Sequence, residues 1–137
     1  MPGVKPAGGM SRVLLVEDHA DTRQMYAEFL GIDFDVDTAA DAEDALKIMR
    51  ARTPDVLVTD LSLPGMDGFE LISKVRNDAT LQTIPIICLS GYGGYEHEER
   101  ALAAGSDRIL QKPCMPDELA AIVNDAIAHA TKRRENA

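Results

Sequence analysis

Cysteine, long apolar runs and positive charge are all scarce in this sequence. Only Cys88 and Cys114 occur. Two cysteines do not make a disulfide framework, so a reducing cytoplasm is the expected home. Cys88 lies in an apolar run, where a thiol behaves as a small hydrophobe. No apolar run approaches the length of a membrane span, and the N-terminus lacks the basic-then-apolar layout of a secretion signal. Lysine and arginine number 14 against 23 acids, a formal net charge of −9. That balance argues against nucleic-acid binding, which needs a basic face, and suits a cation site or basic protein partners. His19, His97 and His129 are scattered and read as surface residues, so no His/Cys cluster of the zinc type is present.

What remains is the material of one globular domain. The 137 residues are long enough for a sizeable core, and 45% hydrophobic with 27% charged is an ordinary soluble balance. Residues 1–10, with two prolines and three glycines, read as a flexible leader. Residues 11–131 read as the domain and 132–137 as a charged tail that frays.

Apolar runs and helical stripes alternate along the domain. Val13–Val16 is a short buried strand ending at Glu17-Asp18. Ala20–Leu30 then carries Met25, Tyr26, Phe29 and Leu30 at helical spacing, and Met25 and Met49 are expected in the core. Phe34–Thr38 alternates like an edge strand, and Asp41–Arg52 follows as a helix. Val56-Leu57-Val58 is a central strand that stops abruptly at Asp60, before turns at Pro64, Gly65 and Gly68. Phe69, Ile72 and Val75 mark a third helix, ending near Asn77-Asp78. Pro85–Ser90 is the fourth strand run. Gly91 to Gly94 forms a permissive loop, with a mobile start expected for the helix over Tyr95–Ala104. Arg108–Gln111 is a short fifth strand closed by Lys112-Pro113. Pro116 opens a last helix with the stripe Leu119, Ile122, Val123 and Ile127. Five strands alternating with five helices predict an α/β fold: a doubly wound parallel sheet of the flavodoxin-like (βα)5 kind, strand order 2-1-3-4-5.

In such a sheet the carboxyl ends of the strands share one edge, where ligands bind. Glu17, Asp18, Asp60, Ser90 and Lys112 all fall there. Three carboxylates in one cleft repel unless a cation sits among them. Lys112 is one such charge and a divalent ion the natural second. All-oxygen ligands imply Mg²⁺ or Mn²⁺, and Mg²⁺ completes its shell with phosphate oxygens. A carboxylate there can act as nucleophile and form an aspartyl phosphate, with Lys112 and the Ser90 hydroxyl stabilising the phosphoryl oxygens.

Val16-Glu17-Asp18, Asp60 with Leu63-Pro64-Gly65-Met66-Asp67-Gly68, Leu89-Ser90-Gly91 and Gln111-Lys112-Pro113 together make the chain resemble a receiver domain of two-component response regulators. The resemblance covers Ser11 to Ala130. It implies Asp60 as phospho-acceptor, Ser90 as switch hydroxyl and Lys112 as the partner of the acceptor and then of the phosphate. It implies Mg²⁺ held by Asp18 and Asp60, by Glu17 through water and by the backbone carbonyl of Ser62, and a cis Lys112-Pro113 bond. The implied partners are a sensor histidine kinase or a His-containing phosphotransfer protein, and a downstream protein at the helix 4–strand 5–helix 5 face. No nucleic-acid or membrane partner is expected, and a monomer or weak dimer is. With no effector region following, output is expected by protein contact, or the chain is part of a larger protein. The wording around Ser90 and Lys112 leans toward receivers of hybrid sensor kinases.

One departure stands out. The family usually has Tyr or Phe three residues before the lysine, and here that residue is Ile109. A coupled aromatic flip is therefore not expected, and a phosphorylation-independent adaptor is the alternative reading. An Asp-nucleophile phosphohydrolase is the other rival. Such enzymes typically carry a second Asp two residues after the first, where this chain has Ser62.

Overall fold

The computed structural model describes residues 10–91 and 95–135. In chain order the elements are β1 (Arg12–Val16), α1 (Ala20–Leu30), β2 (Asp35–Ala39), α2 (Ala42–Ala51) and β3 (Val56–Asp60). They continue with α3 (Gly68–Arg76), β4 (Ile86–Ser90), α4 (Tyr95–Ala104), β5 (Arg108–Gln111) and α5 (Pro116–Glu135). The strands form one sheet in the order β2-β1-β3-β4-β5, every pair parallel. This is the expected flavodoxin-like order.

Side-chain alternation along the strands splits the apolar residues into two cores. Leu14, Val16, Leu57, Ile86 and Cys88 face α2, α3 and α4, and meet Met49, Leu71, Ile72 and Ala101 there. Val13, Leu15, Val56, Val58, Ile87 and Leu89 face the other way, onto Tyr26 and Leu30 of α1 and Leu119 and Val123 of α5. The central strands are buried on both faces, which is why they read as continuous apolar runs. Local chemistry sets the helix starts. The Asp41 carboxylate accepts from the Asp44 amide and that of Asp67 from the Glu70 amide, at 2.8 and 2.9 Å.

Several expectations are corrected. Met25 is 43% exposed and Phe29 37%, so neither belongs to the core; Met49 does. Successive helical residues are about 100° apart, so the row Tyr26–Leu30 faces the sheet and the neighbouring row Met25–Phe29 turns to the rim. The second strand begins at Asp35, with Phe34 buried in the turn before it, and the second helix lies inside its caps Asp41 and Arg52. The last helix continues to Glu135, through residues expected to fray. His97 is half-buried, its ring 6.3 Å from that of Phe69, rather than free on the surface. The mobile helix start expected from Gly91–Gly94 falls largely on residues 92–94, outside the described residues. No helix among the described residues is long and apolar enough to cross a membrane.

Candidate functional site

The parallel register carries residues far apart in sequence to one edge. β1 delivers Glu17 and Asp18, β3 ends in Asp60, β4 ends in Ser90, and the chain leaving β5 presents Lys112. Asp60 sits opposite Leu89 and Ser90 opposite Gln111. The Ser90 carbonyl accepts the Lys112 amide at 2.8 Å, which anchors the lysine backbone beside the end of β4. The Lys112-Pro113 bond is cis, in keeping with the resemblance. The Tyr26 hydroxyl donates to the Cys114 carbonyl at 2.7 Å and pins the turn that follows.

Side chains close the network. Lys112 Nζ donates to Asp60 Oδ2 at 2.8 Å and to Glu17 Oε1 at 2.5 Å. The other Asp60 oxygen, Oδ1, accepts the Ser62 amide at 3.1 Å. Glu17 is fully buried, Asp60 is 4% exposed and Ser90 2%. Burial works against the Lys112 charge, but its hydrogen bonds to Asp60 and Glu17 and their charges outweigh that, and its pKa rises above the ordinary value. One ammonium therefore compensates two buried carboxylates and holds each in a fixed direction.

Asp18 stands outside that arrangement. Its Oδ1 is buried and accepts no hydrogen bond. The nearest ring nitrogen, His19 Nδ1, is 3.3 Å away. Buried carboxylate oxygens normally have donors, so an orphaned one marks a place that a cation fits. Glu17, Asp18 and His19 each offer a ligand atom within 4.8 Å of the others, a group that could hold a metal ion.

Two contributors were not legible as site residues in the sequence. Gly68 is one. A β-carbon there would stand 2.4 Å from the Asp60 carbonyl oxygen and 2.6 Å from Leu61 Cα, so only glycine lets α3 begin against the end of β3. Its amide also donates to the Leu61 carbonyl at 3.0 Å. The signal was the glycine following the Asp67 cap, which reads equally well as a simple turn. Arg23 is the other. It reaches back from α1 to the Glu17 carbonyl at 2.9 Å and steadies the acid pair from below. Nothing in its spacing indicated this. Ile109 is half-buried on the α2–α3–α4 side of the sheet.

The sequence profile of the family described as "Response regulator receiver domain" matches residues 13–124. Response regulator Rre1 of Synechocystis sp. is 35% identical over 118 residues, which is 85% of this chain and 51% of that protein. Sensor histidine kinase TmoS of Ectopseudomonas mendocina is 37% identical over 117 residues, 85% of this chain and 12% of that protein. The chain thus spans about half the length of the first relative and a small part of the second. Among solved structures, the chemotaxis protein CheY4 of Vibrio cholerae superposes with a TM-score of 0.82 at 31% identity, covering 86% of this chain and 99% of its own.

Proposed function

The chain belongs to the response regulator receiver domain family, and from that premise we propose that it is a signalling switch whose phospho-acceptor is Asp60. The observation that carries the reading is the Asp60 carboxylate itself: it ends β3, is nearly buried, and has both oxygens held, one by Lys112 and one by the Ser62 amide. An anchored, ionised carboxylate at the ligand-binding edge of the sheet is a positioned nucleophile.

The donor is the phosphohistidine of a sensor histidine kinase or of a His-containing phosphotransfer protein. A carboxylate oxygen of Asp60 attacks phosphorus, the P–N bond breaks, and its electron pair stays on the departing imidazole nitrogen. Lys112 passes from the carboxylate to the phosphoryl oxygens, and the Ser90 hydroxyl donates to another of them. Mg²⁺, with Mn²⁺ as a substitute, would be held by Asp18, Asp60 and the Ser62 carbonyl, and by Glu17 through water. When bound, it supplies positive charge to the phosphoryl oxygens. Hydrolysis later returns the free carboxylate. The acyl phosphate shifts a two-state equilibrium at the α4–β5–α5 face, where a downstream protein binds, and the domain works in the cytoplasm. With Ile109 in place of an aromatic residue, that shift does not depend on a ring flip.

Intact mass after incubation with acetyl phosphate and Mg²⁺ tests this. A single phosphoryl adduct is expected on the wild type, and none on Asp60→Asn or in the presence of EDTA. A folded wild type that takes no adduct overturns the acceptor assignment and leaves the phosphorylation-independent adaptor.

A further inference from the structure

We propose that His19 is a direct ligand of the cation site and tilts it toward divalent ions that accept an imidazole nitrogen, such as Ni²⁺ and Co²⁺, relative to Mg²⁺. This rests on the cation-site reading above and extends it to a residue outside the all-oxygen set.

The geometry is already that of a ligand group. His19 Nδ1 lies 3.3 Å from Asp18 Oδ1 and 3.4 Å from Glu17 Oε2, and ligand atoms of the three residues all fall within 4.8 Å of one another. Two donors bound at about 2.1 Å to one ion stand about 3.0 Å apart at octahedral angles and about 3.4 Å at tetrahedral ones. The observed separations lie inside that range without rearrangement. Asp18 Oδ1, the atom the imidazole approaches most closely, is the buried oxygen with no hydrogen-bond donor. An ion shared by the two would satisfy it.

Apart from its contacts with Glu17 and Asp18, the His19 ring serves no capping role. The residue occupies the N-cap of α1 yet makes no side-chain capping bond, although Ser, Thr, Asp or Asn there would stabilise the helix. Its side chain is 74% exposed and so contributes little to packing. The neighbouring Glu17 fixes the direction of approach: its Oε2 accepts the His19 amide at 3.2 Å, which brings the residue back over the acid pair. Magnesium prefers oxygen and keeps its waters, so it gains little from an imidazole. Nickel and cobalt bind imidazole well.

Calorimetric titration of the tag-free full chain with Ni²⁺ alone and with Mg²⁺ alone tests the assignment, using wild type, His19→Ala and Asp18→Asn. The ratio of Ni²⁺ to Mg²⁺ affinity is expected to fall at least about tenfold in His19→Ala, since loss of even an outer-shell partner reaches that size. Asp18→Asn is expected to weaken both ions. The visible absorption of the Co²⁺-loaded protein is expected to change when His19 is removed. A ratio within twofold of wild type, an unchanged Co²⁺ spectrum, or Ni²⁺ binding that survives Asp18→Asn overturns the role of His19. A wild type that binds neither Ni²⁺ nor Mg²⁺ overturns the cation-site reading, and this inference with it.

Discussion

At the scale of single residues, the site is built from side chains that would be unstable apart. Glu17 and Asp60 are buried carboxylates bridged by Lys112. Asp18 carries a buried oxygen with no donor. Strain of this kind is retained where function needs it. Gly68 shows the same constraint in steric form, because it leaves no room for a methyl group between α3 and the backbone of Asp60. Gly68→Ala is expected to cost about 2–3 kcal/mol, as overpacking does, and to lower the rate of Asp60 phosphorylation by displacing the end of β3. Urea denaturation and adduct formation over time check the two effects. A stability change below about 0.5 kcal/mol, the size of an ordinary surface substitution, would sink the steric argument. The cysteines are quiet by contrast: burial pushes the Cys88 thiol up to about 12, so it stays protonated and packs as a hydrophobe.

At the scale of elements, Arg76 binds the far side of the molecule together. From the end of α3 its guanidinium donates to the Gly105 carbonyl at 2.9 Å, the Gln82 carbonyl at 2.9 Å, the Ile84 carbonyl at 2.6 Å and the Asp107 carboxylate at 2.9 Å. Asp107 in turn accepts the Ile86 amide at 2.8 Å. One side chain therefore ties the α3 end to the entries of β4 and β5. Gly105, with φ of 122°, brings its carbonyl within reach, and a β-carbon there would meet Arg76 Cγ at 2.5 Å. Arg76→Ala removes the donor of three carbonyls and the charged partner of Asp107 and is expected to cost about 2–4 kcal/mol. Hydrogen exchange should increase at the starts of β4 and β5, and unchanged exchange there would refute the bridging role. On the opposite side of the same helices, Phe69 of α3 is covered by the Arg100 guanidinium of α4, 4.0 Å from the ring centroid, with His97 alongside. This contact joins the element that abuts Asp60 to the helix of the proposed output face.

At the scale of the whole molecule, the three strand ends joined by Lys112 couple the fold to pH. Its folded-state pKa is raised, so the stability it contributes is fully present below its unfolded value near 10.5 and is lost as pH rises through the folded value. Lys112→Met is expected to cost about 3 kcal/mol near neutrality, because it strands two buried carboxylates. Its deficit relative to wild type should narrow in strongly alkaline solution. Urea midpoints of both proteins across that range check this, and a deficit that stays constant would remove the ion-pair explanation. Much of this protein was legible in the sequence. The strand runs and the acids at strand ends follow from local propensity and periodicity, which act over a few residues. The strand order followed from alternation together with the handedness of crossovers. The structure alone decided which helical row faces the sheet, so that Tyr26 is buried and Met25 is not, and that α3 needs Gly68 to approach Asp60. It alone showed that Lys112 compensates Glu17 and Asp60 across 95 and 52 residues of chain while Asp18 goes without. Those outcomes depend on distances of a few tenths of an ångström between segments remote in sequence, and such distances exist only once the two cores have packed.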